Sequence, residues 1–197
     1  MNKFDITLVG AGLSGPLLAS YLSKRGYKVD LYERRSDMRK TPQGAGRSIN
    51  LALSARGIKA LTDIGIFEKI QKNLIPMKGR MLHDKNSNTH LQLYGQNKDE
   101  VIYSVSRSFL NISLLDHVER QKDIQLSFNH ELTDADFENK KINFGDKAIS
   151  FNRLIGSDGF TSQLRNLMLK KEDLKFRKKP LGHGYKELTI PPSLNGK

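Results

Sequence analysis

The chain has 197 residues, 37% hydrophobic and 27% charged, enough to bury the core of one domain or of one and a half. Its net charge of +12 comes from 33 Lys and Arg interspersed with 21 acids, so it reads as a general field favouring anionic small ligands, not as a stripe for nucleic acid. With no cysteine, disulfide frames, thiolate metal sites and cysteine nucleophiles are excluded, and no apolar run reaches membrane-helix length. Asp5 and a glycine-rich turn interrupt the first apolar segment, so no secretory leader is expected and the setting reads as cytoplasmic.

Phe4 to Val9 is a short apolar run that reads as a buried strand. Gly10-Ala11-Gly12-Leu13-Ser14-Gly15 follows and opens a helix with Leu17, Leu18, Tyr21 and Leu22 on its apolar face. Pro16 falls in the first turn, where its missing N–H costs nothing, and Gly26 stands where the helix should stop. Tyr27 to Tyr32 alternates as a strand, and Glu33 lies 18 residues beyond Gly15. This strand–turn–helix–strand–acid order is the fingerprint of a dinucleotide site. Gly10 allows the turn, Gly12 lets backbone N–H groups approach a pyrophosphate, and Gly15 lets the helix pack against the strand. The pyrophosphate is expected at the helix N-terminus and the ribose hydroxyls on Glu33.

Residues 34 to 50 look irregular, and Arg47 among them is either a phosphate- or flavin-facing side chain or an ordinary surface arginine. Arg47 to Leu53 runs into a helix that Ser54 can cap, with Ile58, Leu61 and Ile64 or Phe67 facing inward. Met77 to His83 and Thr89 to Tyr94 read as a hairpin turning at Asn86-Ser87-Asn88. Symmetry about Ser87 pairs Arg80 directly with Tyr94 on one face. Such a pair is either a clamp for a substrate carboxylate or an arginine lying over a tyrosine on an exposed sheet.

Val101 to Val105 reads as a strand running into a helix near Ser106-Arg107, whose inner face carries Leu110, Leu114 or Leu115, and Val118. Ile124 to Phe128 is a further strand, and Lys141–Phe144 with Ala148–Phe151 form a hairpin about Gly145-Asp146. Leu154-Ile155-Gly156-Ser157-Asp158-Gly159 repeats the opening logic, leaving Asp158 either a turn residue or a cofactor contact, before a helix begins near Ser162. The densest basic run, Lys170 to Lys179, is expected to be a solvated linker or helix end. His183 to Ile190 alternates like a strand that Pro191-Pro192 ends. The five histidines show no ligand spacing, so no metal site is expected.

With these residues in view, the chain resembles the N-terminal part of the flavin-dependent aromatic hydroxylases, most closely the branch acting on kynurenine. The resemblance rests on the opening glycines and Glu33, on Gly46 to Ser54, on Pro76 to Met81, on Tyr103 to Arg107, on the turn at Asp158, and on His183 to Pro191. It implies an α/β fold: a Rossmann-like FAD-binding domain of residues 1–75 and 96–178, with the start of a mixed β-sheet substrate domain in 76–95 and 179–197. It implies FAD and NADPH as cofactors, with Ser14, Tyr32, Glu33, Arg35, Ala52, Arg107 and Leu132 lining FAD, together with Asp158. It implies that Arg80 and Tyr94 hold the carboxylate of L-kynurenine or a similar aromatic amino acid, hydroxylated with O2 and NADPH. No proton-transfer residue is expected in the chain, because the cofactor carries the chemistry. Family members are more than twice as long, so the chain reads as a truncated form; the alternatives are a hydroxylase of another aromatic acid and a non-catalytic dinucleotide-binding fragment.

Overall fold

The computed structural model describes residues 3–40, 50–97, 100–171 and 174–184. The expectations for Gly46 to Ile49, Arg47 included, and for the strand from Tyr185 to Ile190 lie outside these residues. Strand β1 (Ile6–Val9) runs parallel to β2 (Val29–Tyr32) on one side. The strands named below as β12 (Leu154–Gly156) and β8 (Ile124–Ser127) complete a parallel sheet of order β12-β1-β2-β8.

Both β1 and β2 are buried along their whole length, because layers cover both faces of the sheet. The strand expected from the alternation of Tyr27 to Tyr32 forms over Val29–Tyr32, and Asp30, a polar position of that pattern, is buried with its apolar neighbours. Ile6, Leu8, Val29 and Leu31 face helices α1 (Ser14–Ser23) and α4 (Arg107–Glu119), where Leu115 and Val118 close the layer. Leu8 and Leu31 are fully buried, and each contributes about 1.5–3 kcal/mol by leaving water. Val9 and Tyr32 face the opposite way, toward an antiparallel meander. Its strands are β9 (Asp134–Asp136), β10 (Lys141–Phe144) and β11 (Lys147–Ser150), backed by α5 (Gln163–Lys171). The hairpin about Gly145 forms as expected, with Gly145 at φ +60° and Phe144 opposite Lys147.

A second body of core lies beside α1 and α4. Strands β3 (Asn50–Leu53), β7 (Ile102–Ser106) and β4 (Ile75–Met77) form an antiparallel sheet of order β3-β7-β4, packed with α2 (Ala55–Asp63) and α3 (Phe67–Gln71). Residues 50–53, read only as an approach to a helix, are thus a strand pairing with β7. Ser54 does occupy the N-cap position of α2 in an extended conformation, but its side chain makes no capping bond. Leu61 and Ile64 are buried there as the helical spacing requires, and Gly65 takes φ +81° where α2 ends.

The hairpin of β5 (Gly79–His83) and β6 (Thr89–Leu93) forms a separate two-stranded sheet, exposed along nearly all its length. Its register differs from the expected one. Arg80 is opposite Gln92, and the loop closes through the Asp84 N–H on the Asn88 carbonyl with Ser87 at φ +64°. The centre of symmetry is therefore Asn86, because the three-residue loop is Lys85 to Ser87, ending in the left-handed residue, one position earlier than the expected Asn86 to Asn88. Arg80 and Tyr94 share a face, but as diagonal neighbours.

Candidate functional site

The C-terminal ends of β1, β2 and β12 meet at one edge of the parallel sheet, where ligands of such folds bind. Gly10 leaves β1 at φ +104°, and a Cβ there would lie 2.6 Å from the backbone of Ser157 and Asp158. The Gly10 N–H donates to the Tyr32 carbonyl at 2.7 Å and the Ser157 N–H donates to the Val9 carbonyl at 2.7 Å, so both neighbouring strands hold the turn. Gly15 packs so close that a Cβ would penetrate the Gly10 carbonyl oxygen and sit 2.9 Å from Ser157 Oγ. Around Gly12, by contrast, a Cβ would meet nothing within 4 Å among the described residues. Two glycines are required by the protein's own packing, and the third faces open space. Helix α1 begins there with no side-chain cap among the described residues, and the positive end of its dipole is directed at the opening.

That opening is a cleft of about 350 Å³. Of the expected cofactor positions, Gly10, Gly12, Ser14, Glu33, Arg35, Arg107, Leu132 and Asp158 line it. Gly15 lies beneath the turn, and four other expected residues, Arg80 and Tyr94 of the substrate pair among them, fall elsewhere. Tyr32 is buried on the meander side of the sheet, its hydroxyl donating to Asp30 Oδ2 at 2.5 Å. Ala52 sits in β3 opposite Ser104, and Arg80 and Tyr94 sit on the exposed hairpin, none of them lining the cleft. Gln92 Oε1 accepts from Arg80 Nε at 2.7 Å.

Glu33 is buried at the floor of the cleft. Its Oε2 accepts the Ala11 N–H at 2.8 Å, and its Oε1 accepts from Arg35 Nε at 2.7 Å and the Arg35 N–H at 3.1 Å. Burial pushes the carboxyl upward, but the Arg35 guanidinium and the two backbone donors outweigh it and hold Glu33 below the ordinary carboxylate range. The carboxylate thereby locks the glycine turn to the end of β2, and three of its four lone-pair directions are used, leaving one for a ribose hydroxyl. Asp158 Oδ2 accepts the Leu164 N–H at 3.2 Å, so it steadies the start of α5 while facing the cleft. Both readings of Asp158 are therefore compatible with its place.

Asp30 and Tyr32 form a buried pair under this floor. Burial raises both groups, the Asp30 carboxyl above its usual range and the Tyr32 hydroxyl further still. Among the described residues Asp30 Oδ1 and Thr7 Oγ1 have no hydrogen-bond partner, although these residues are direct neighbours across β1 and β2.

The residues missed by sequence reasoning include Arg34, His130, Glu131 and Ser157, all of which line the cleft. His130 was discoverable in principle: the loop after a parallel strand beside β2 must open at the same edge. Nothing in the sequence alone placed β8 next to β2.

The fold and this cleft define an FAD-binding domain. Residues 3–173 match the family described as "FAD binding domain", and the chain belongs to it. More narrowly, the chain is 44% identical over 190 residues to the kynurenine 3-monooxygenase of Legionella pneumophila (strain Corby), a match covering 94% of this chain and 42% of that protein. It is 40% identical over 201 residues to the kynurenine 3-monooxygenase of Myxococcus xanthus (strain DK1622), covering 99% of this chain and 43% of that protein. The chain thus spans less than half the length of the curated relatives it matches. Among solved structures, the p-nitrophenol 4-monooxygenase PnpA from Pseudomonas putida DLL-E4 shares the fold with a TM-score of 0.69 at 18% identity, over 84% of this chain and 43% of that one. The flavin-dependent monooxygenase PieE, solved with FAD and substrate, gives a TM-score of 0.67 at 19% identity, over 84% of this chain and 32% of that one.

Proposed function

We propose that this chain is the FAD-holding part of a monooxygenase that hydroxylates L-kynurenine to 3-hydroxykynurenine with NADPH and O2, in the kynurenine pathway of tryptophan degradation. The observation that carries the substrate is the 40–44% identity to kynurenine 3-monooxygenases, which continues through almost all of the chain and so includes the exposed hairpin. The cleft supports the cofactor: open space at Gly12, an uncapped helix start and a buried carboxylate at ribose distance along the motif fit an adenine dinucleotide. When bound, FAD supplies the electron-transfer and oxygen chemistry that no side chain here can perform.

The residues of the chain bind and orient. The start of α1 and the Gly10–Gly12 turn receive the pyrophosphate, Glu33 accepts from a ribose hydroxyl, and Arg107 at the start of α4 offers positive charge at the cleft. Arg80 and Tyr94 hold the substrate carboxylate from one face of the hairpin, with Gln92 aiming the guanidinium through its 2.7 Å bond. The division into an FAD-binding part, 1–75 and 96–178, and substrate-domain elements, 76–95 and 179–197, belongs to the same proposal; β4 (Ile75–Met77) straddles its first boundary. A cytoplasmic setting is also part of it, supported by the absence of cysteine. No described helix is long and apolar enough to cross a membrane.

The test is a visible spectrum of the purified protein, followed by NADPH oxidation with kynurenine and with unrelated aromatic acids. Bound flavin and kynurenine-selective stimulation are expected. Equal stimulation by unrelated acids would defeat the substrate assignment, and a folded but colourless protein that takes up no FAD would defeat the cofactor assignment.

A further inference from the structure

The glycine turn is held from two sides, and the dinucleotide motif accounts for one of them. Glu33 follows β2 and Ser157 follows β12, the two strands that flank β1, so they reach the turn from opposite directions. Between them lies the peptide unit that joins Gly10 to Ala11. Its N–H donates to Glu33 Oε2 at 2.8 Å, and its carbonyl accepts from Ser157 Oγ at 2.6 Å. The same hydroxyl lies 3.0 Å from the Val9 carbonyl oxygen, but that oxygen already accepts the Ser157 N–H at 2.7 Å. The shorter contact, to Gly10, is what the side chain adds.

A trans peptide is planar, with its C=O and N–H pointing opposite ways, so a bond at each end fixes how the unit is rotated. The observed rotation tucks the Gly10 oxygen between Gly15 and Ser157. It is the first atom that a Cβ on Gly15 would strike, and it is absent from the space within 4 Å of a Cβ on Gly12. This orientation matters for a diphosphate. A carbonyl oxygen carries partial negative charge, and a rotated peptide would turn it toward the place where the N–H groups of the turn and of the start of α1 meet phosphate oxygens. The single proton of a serine hydroxyl is suited to hold such an oxygen back.

We propose that the Ser157 hydroxyl is a positioning group for the pyrophosphate: by holding the Gly10 carbonyl away from the opening, it keeps the turn in the orientation that accepts phosphate oxygens. The proposal rests on the reading of the cleft as the FAD site. Ser157 acts through the Gly10 carbonyl, and Glu33 holds the other end of the same peptide. Losing the hydroxyl therefore falls on ligands that carry phosphates and spares those that reach the Glu33 side alone.

The test compares the 197-residue chain with its Ser157→Ala variant, measuring dissociation constants for FAD, ADP and adenosine, and hydrogen exchange at the Ala11 amide without ligand. The substitution removes one oxygen atom and brings no new group against Gly15. Ser157→Ala is expected to weaken FAD and ADP by a common factor of about five, the contribution of one hydrogen bond, and to leave adenosine within about twofold of the parent. The Ala11 amide is expected to exchange several times faster, because its peptide is released at the carbonyl end. The ratio of the ADP and adenosine constants is the deciding readout, since a role in stability alone does not move it. An unchanged ratio, whether both ligands weaken or neither does, overturns the positioning role while leaving the cleft assignment intact, and so does unchanged exchange at Ala11. A parent chain that is folded yet binds neither FAD nor ADP overturns the cleft assignment and the positioning role together.

Discussion

Replacing Gly15 by alanine tests the packing on which the phosphate turn depends. The new Cβ would overlap the Gly10 carbonyl oxygen and come within 2.9 Å of Ser157 Oγ. The first of these is backbone, already held by bonds from Gly10 to β2 and from Ser157 to β1, so it cannot yield as a flexible side chain would. Overpacking costs about 1–3 kcal/mol, and an immovable obstacle puts this site near the upper end. At roughly 2–4 °C per kcal/mol for a chain of this size, the melting temperature should fall by about 6–12 °C. Gly12→Ala is the internal control. A Cβ there meets nothing within 4 Å among the described residues and Gly12 has no positive φ, so stability should hold or rise slightly. Its methyl would nonetheless stand where the pyrophosphate must approach, so FAD affinity should drop while the fold survives. Differential scanning calorimetry paired with flavin-fluorescence titration separates the two effects. A Gly15→Ala protein with the parent melting temperature, or a Gly12→Ala protein with undiminished FAD affinity, would refute the division of labour among these glycines.

Three further outcomes are expected. Glu33 has a depressed carboxyl, so the stability it contributes is full above the unfolded value near ~4.3 and is lost as pH falls through the lower folded value. Glu33→Gln should therefore be less stable by about 2 kcal/mol at neutral pH, with the difference vanishing in acid in urea titrations. Asp30 behaves with the opposite sign: its raised carboxyl disfavours the folded state at neutral pH and ceases to do so as pH falls toward ~4. Asp30→Asn keeps an acceptor for the Tyr32 hydroxyl and gives Thr7 Oγ1 a neighbouring amide, so it should match or exceed the parent by up to about 1 kcal/mol at pH 7. A loss of 2 kcal/mol or more would show that the charge is needed. Arg39 bonds Asp37 at 2.8 Å, Asp116 at 3.2 Å and Glu119 at 2.7 Å, tying the segment after Glu33 to α4. Arg39→Met should cost about 2 kcal/mol, less than a fully buried network because Glu119 is largely exposed; a cost below 0.5 kcal/mol in chemical denaturation would contradict this.

How far the sequence carries the fold depends on the kind of signal each element leaves. The first βαβ unit was legible because its glycines, its helical spacing and Glu33 all point the same way. Strand β9 was not, since Asp134-Ala135-Asp136 has turn-like composition and becomes a strand only by pairing with β10. Strand β3 was hidden for a related reason: its partner β7 lies fifty residues away, roughly, and only tertiary pairing identifies it. In β2 the alternating pattern located the strand but said nothing of the coverage on both faces that buries Asp30. The hairpin register failed by a single residue in its centre, because the three-residue loop is Lys85 to Ser87, with Ser87 left-handed at its end, and not Asn86 to Asn88. The same limits apply to the site. Residues tied to the glycine motif or to strand ends were anticipated, while His130 became visible only once β8 was seen beside β2.

The central claim is that the cleft above Gly12 and Glu33 holds the adenosine half of FAD. Equilibrium titration of the chain with FAD, in competition with ADP and with FMN, addresses it directly. FAD should bind at one site, ADP should displace it, and FMN, which lacks the adenosine half, should not. A folded chain that ignores FAD, or one from which FMN displaces FAD as well as ADP does, would contradict the account.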